Sequence, residues 1–250
     1  MIPELPFWLP FAFFFVAFIY SSVGFAGGSS YLLVLALAGF SHRESAPIAL
    51  ICNLAVSSVT FWHFFKAGHF RFRLIMPFMA FSIPLAFLGA KVPIGKQAFL
   101  LLLGLSLMFA AFRIFFLREG RQEKKKLNFK ELCMIGFPAG GIMGFFSGLI
   151  GIGGGIFLSP FLLLTRLANM KEASAAASFF IFVNSLSGLL GKMQNGFQMN
   201  QGLLVLAVSA LGGGWIGSRL GSNRLSIIQL QRILAGVILF ISTNLILKVF

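Results

Sequence analysis

Two glycine-rich runs stand out in a chain of 250 residues that is otherwise strongly apolar: Gly27-Gly28-Ser29-Ser30 and Gly153-Gly154-Gly155. Glycine carries no Cβ, so it tolerates positive φ angles and lets main-chain N–H groups come close to a ligand. Each run opens a short apolar stretch, 31–40 and 156–165. A helix starting there offers free N–H donors and the positive end of its dipole. Two such N-termini facing each other make a site for a small anion without any intramembrane arginine. Ser29 and Ser30 either cap the first short helix or give their hydroxyls to the ligand. The competing explanation is that the glycines serve only close helix packing, as small residues do in membranes. Two runs at matched positions favour the anion site.

Polar faces form the second set. Asn53, Ser57 and Thr60 fall at i, i+4 and i+7 with Ser58 beside them, and Asn184, Ser187 and Gly191 fall at i, i+3 and i+7, again on one helix face. Such a face either lines a substrate path or makes interhelical hydrogen bonds. An amide in hydrocarbon must find partners, which points Asn53 and Asn184 towards the site. Glu44 and Glu172 each stand just before a helix, where a carboxylate complements the positive helix end; proton coupling is the alternative role. His42, His63 and His69 show no metal-ligand spacing, so no metal is expected. Cys52 and Cys133 are far apart and read as small apolar fillers. There is no nucleotide-binding Gly-x-x-x-x-Gly-Lys-Ser/Thr and no Gly-x-Ser-x-Gly or His-Glu-x-x-His. Neither ATP-driven transport, an enzyme nor a cofactor is expected.

The elements that position these residues belong in a bilayer. The chain is 58% hydrophobic and 10% charged, with 33 Phe and a mean hydropathy of +0.93. Those values exclude a soluble enzyme or a disordered chain. The net charge of +14 would suggest nucleic acid in a soluble protein. Here the basic residues lie between apolar runs, where they orient the protein, and nucleic acid is set aside. The first residues lack the basic start and cleavage site of a signal peptide. A helical crossing needs about 20 apolar residues. That ruler predicts crossings at 46–65, 74–90, 97–117, 173–191, 201–218 and 228–247. Two further glycine-split pairs, 7–23 with 29–40 and 132–150 with 156–165, read as half-helices or re-entrant pieces.

The chain also matches itself. Gly24, Gly27 and Gly28 align with Gly151, Gly154 and Gly155 at a shift of 127, and Arg43-Glu44 with Lys171-Glu172 at 128. This predicts an all-α polytopic membrane protein of two repeats, 1–117 and 132–250, joined by a basic cytoplasmic linker at 118–131. Each repeat pairs a glycine-broken segment with three full crossings, so the number of crossings per half is odd and the repeats are inverted. With the linker in the cytoplasm, 15 of the 20 basic residues fall inside, against Arg43, Lys91, Lys96, Lys192 and Lys248 outside.

The segments GFAGGSSYLLVLALAGFSHRESAPIAL at 24–50 and GLIGIGGGIFLSPFLLL with KEASAAAS in 148–178 resemble the sulfite exporter TauE/SafE family, also called the toluene sulfonate uptake permease family. Ala26 stands where the second repeat has Gly153, and nothing in the first matches Pro160. The resemblance implies a permease of the bacterial or archaeal cytoplasmic membrane for sulfite or organosulfonates. The expected function is secondary transport, with export as the expected direction, of a small sulfur-containing oxyanion. Its partners would be that anion, membrane lipids and a coupling ion, proton or sodium, with no particular oligomer expected. A membrane scaffold and a passive anion channel are the alternatives.

Overall fold

The structure, a computed structural model, describes residues 5–95, 97–105, 108, 125, 127–194 and 201–223. Every regular element among them is helical. The order is α1 (Leu9–Ser22), α2 (Gly28–Leu37), α3 (His42–Lys66), α4 (Phe72–Lys91), α5 (described over 97–105), α6 (Phe129–Ile150), α7 (Gly155–Leu164), α8 (Met170–Met193) and α9 (Gln201–Asn223). The predicted crossing 228–247, the later part of 97–117 and most of the linker 118–131 lie outside the described residues.

Among the described residues five helices, α3, α4, α6, α8 and α9, are long and apolar enough to cross a membrane. At 1.5 Å per residue, the 10-residue α2 and α7 reach only about 15 Å. The predicted short pieces are therefore present, at shifted boundaries. α6 starts at Phe129 rather than 132, because Asn128 and Glu131 form a reciprocal cap: the Glu131 N–H donates to Asn128 Oδ1 at 2.9 Å and the Asn128 N–H to Glu131 Oε2 at 3.0 Å. With 22 residues α6 is long enough to cross alone, whereas its expected counterpart α1 has 14. α2 starts at Gly28 rather than 31, so Ser29 and Ser30 lie inside its first turn and the N-cap is Gly27.

Glu44 and Glu172 act as helix caps. The Ser41 N–H donates to Glu44 Oε2 at 2.8 Å and the Asn169 N–H to Glu172 Oε2 at 3.0 Å. Each carboxylate thereby sits in the first turn, beside the positive end of the helix.

Glycine decides how the long helices pack. Gly140, Gly144 and Gly148 on α6 lie so close to α4 that a Cβ on each would strike the backbone of Phe78, Ser82 and Ala86. On α9, Gly213, Gly217 and Gly221 meet the backbone of Phe14, Phe18 and Ser22 on α1 in the same way. A small residue every four positions lets two backbones touch, which maximises dispersion where lipid removes any hydrophobic drive between helices. α3 and α8 pack against each other, α4 lies on α8, and α9 lies on α3. Large apolar side chains such as Phe11, Phe15, Met134, Ile142, Leu204 and Val208 are exposed, as suits surfaces in contact with acyl chains.

Candidate functional site

Both short helices begin at a glycine N-cap in the left-handed region, Gly27 at φ 98° and Gly154 at φ 77°. Residues with a Cβ rarely adopt this conformation. Neither N-terminus has a side-chain cap, so its first N–H groups face no protein acceptor of that kind.

Asn53, near the middle of α3, joins the two breaks. A Cβ on Gly28 would run into its amide nitrogen, and one on Gly153 would lie 3.1 Å from the same atom. The Ile152 carbonyl oxygen lies 2.9 Å from the Gly28 Cβ position, so the start of α2, the approach to α7 and Asn53 meet at one place. Asn53 is fully buried, and among the described residues neither its Nδ2 nor its Oδ1 has a hydrogen-bond partner. Ser185 Oγ lies 2.8 Å from the Gly153 Cβ position and Ser147 Oγ 3.1 Å from that of Gly154; both hydroxyls are also buried and unpartnered. An uncompensated buried polar group costs on the order of 1–3 kcal/mol. A molecule that accepts hydrogen bonds from several of them at once offsets that cost, and an oxyanion is such a molecule.

The predicted site residues divide into two groups. Gly28 and Gly153 both lie against Asn53, and Gly27, Gly154 and Gly155 form the adjoining helix starts. Gly155 is a helical residue without positive φ; its glycine is required by space, since a Cβ would meet Ile181 and the Ala177 carbonyl. Ser57, one turn beyond Asn53, is buried with its hydroxyl unpaired. The others are engaged elsewhere. Ser30 Oγ lies 2.8 Å from the Tyr20 hydroxyl, and Ser29 is buried beside it in the first turn of α2. Asn184 Nδ2 donates to its own helix at Phe180 O (2.9 Å), leaving Oδ1 unpaired. Ser187 donates to Ile83 O on α4 at 2.6 Å, and Thr60 to Val56 O at 2.7 Å. His63 Nδ1 lies 2.8 Å from Ser218 Oγ, in the contact between α3 and α9.

Tyr20, Ser147 and Ser185 were not singled out by the sequence, although the repeat contains them. Residue 20 plus 127 is 147, and residue 57 plus 128 is 185. The counterpart of Asn53 at shift 128 is Ile181, so the amide is present on one side only.

Apolar crossing-length helices around two glycine-started short helices define a multi-pass membrane protein of the transporter class. The family model described as sulfite exporter TauE/SafE matches residues 9–245, and the chain belongs to that family. It is 31% identical over 244 residues, 94% of this chain and 95% of the relative, to the probable membrane transporter protein y4hK of Sinorhizobium fredii (strain NBRC 101917 / NGR234). It is 34% identical over 88 residues, 35% of this chain and 31% of the relative, to the probable membrane transporter protein YunE of Bacillus subtilis (strain 168). No solved structure matches the chain.

Proposed function

We propose that this transporter exports a small sulfur-containing oxyanion, sulfite or an organosulfonate, across a bacterial or archaeal cytoplasmic membrane. The observation that carries the proposal is Asn53, a wholly buried amide with both polar atoms unpaired, set between two helix N-termini. The anion takes main-chain N–H groups at Gly27, Gly28, Gly153, Gly154 and Gly155 and side-chain donors from Asn53, Ser57, Ser147 and Ser185. Ser30 and Ser187 hold the helices that present those groups. A proton or sodium ion drives the cycle, since the sequence contains no nucleotide loop.

The two halves act as inverted repeats around this point. The matching glycine-lined contacts, α6 on α4 and α9 on α1, support that arrangement, as does the 15-to-5 split of basic residues. Purified protein in proteoliposomes, loaded in turn with sulfite, sulfate, thiosulfate, taurine and sulfoacetate, tests the proposal. Saturable flux of sulfite or a sulfonate, responsive to a proton or sodium gradient, is expected. No flux of any of these would support a scaffold, and non-saturating conductance would support a channel.

A further inference from the structure

A second polar feature lies away from the glycine breaks and shares no residue with them. A cavity of about 470 Å³ opens where α4, α6 and α8 begin, lined among others by Arg71, Arg73, Lys125, Glu172, Phe129 and Leu132. Among the described residues, three cations and one carboxylate line it. Glu172 is already committed, accepting the Asn169 N–H at 3.0 Å and pairing with Arg71 at 3.8 Å. The Arg71 contact is long and its side chain is 52% exposed, so the ion pair only weakly holds the guanidinium. Arg73 lies over the Phe129 ring, 5.4 Å from its centroid. The Lys125 N–H donates to Arg166 O at 3.0 Å, tying the stretch before α6 to the turn between α7 and α8.

The cavity is thus net positive, half apolar, and placed at the ends of membrane-crossing helices. Arginine and lysine at such a boundary suit phosphate oxygens, which arginine grips in bidentate fashion. A zwitterionic headgroup would bring a trimethylammonium into a cationic wall. A small soluble phosphate would make no use of Phe129 and Leu132. We propose that this cavity binds the headgroup of an anionic phospholipid, with the phosphodiester on Arg71, Arg73 and Lys125 and the glycerol and first acyl carbons against Phe129 and Leu132.

Native mass spectrometry of the full chain in detergent, titrated with phosphatidylglycerol or phosphatidylcholine, tests this independently of transport. Phosphatidylglycerol should bind about tenfold more tightly. The preference should vanish in an Arg71→Gln/Arg73→Gln protein and weaken about threefold in Lys125→Gln, a change at an exposed side chain that leaves the core untouched. Equal affinity for the two lipids, or a preference unchanged in both variants, would overturn the proposal. So would displacement of phosphatidylglycerol by an equal concentration of glycerol 3-phosphate, because the site would then recognise phosphate without its lipid.

Discussion

Ser187 and Asn53 both lie on buried faces of crossing helices, yet their polar atoms differ in what they do. Ser187 spends its hydroxyl on Ile83 O, a bond that joins α8 to α4. Ser187→Ala should therefore cost about 1 kcal/mol of stability and leave sulfite affinity within about twofold, measured by thermal unfolding and anion titration. His69, in the turn between α3 and α4, behaves differently again. Burial, reinforced by the Lys171 charge and opposed by Glu172, holds its imidazole below the ordinary value of 6.5. The folded state then binds the proton less readily than the unfolded chain, so stability is lost as pH falls through 6.5. A His69→Gln protein should show a smaller acid-side drop in melting temperature than the parent.

Among the elements, the closeness of the glycine-lined contacts decides which substitutions matter. Gly213 and Gly212 are neighbours on α9, but a Cβ on Gly213 would strike the Phe14 carbonyl, while one on Gly212 would sit 3.6 Å from the Phe14 ring, an ordinary contact. Gly213→Ala should lower the melting temperature by an amount corresponding to roughly 1–3 kcal/mol, and Gly212→Ala should be nearly silent. Much at this scale was legible beforehand. The glycine runs, their matched shift and the short helices behind them follow from composition and spacing, because only glycine supplies a left-handed N-cap such as Gly27 or Gly154 at no steric cost. The starts of α2 and α6 were not, since helix boundaries depend on which local cap wins. The polar groups at the glycine breaks were legible only in part. Ser147 and Ser185 look like any serine in an apolar helix, which normally bonds its own preceding carbonyl. Only a strict use of the repeat shift would have separated them from Ser187.

For the molecule as a whole, the crossing helices and the charge asymmetry together imply opposite faces for the two ends of α4. In a chain lacking Cys52 and Cys133, cysteines introduced as Ile94→Cys and Lys125→Cys should react with an impermeant thiol reagent from opposite sides, the latter only from the cytoplasm. Labelling of both from one side would contradict the inverted arrangement.

The central claim is that Asn53 is kept for the anion rather than for the fold. Leucine has nearly the same shape and, where both polar atoms of the amide are unpaired, removes a desolvation cost without breaking a bond within the protein. The direct measurement is the rise in melting temperature that sulfite produces in the purified protein and in Asn53→Leu, since a ligand bound to the native state stabilises it. The account predicts a sulfite-dependent rise in the parent, and a variant that melts no lower than the parent without ligand yet shows no response to sulfite. A variant that responds to sulfite as the parent does would contradict it.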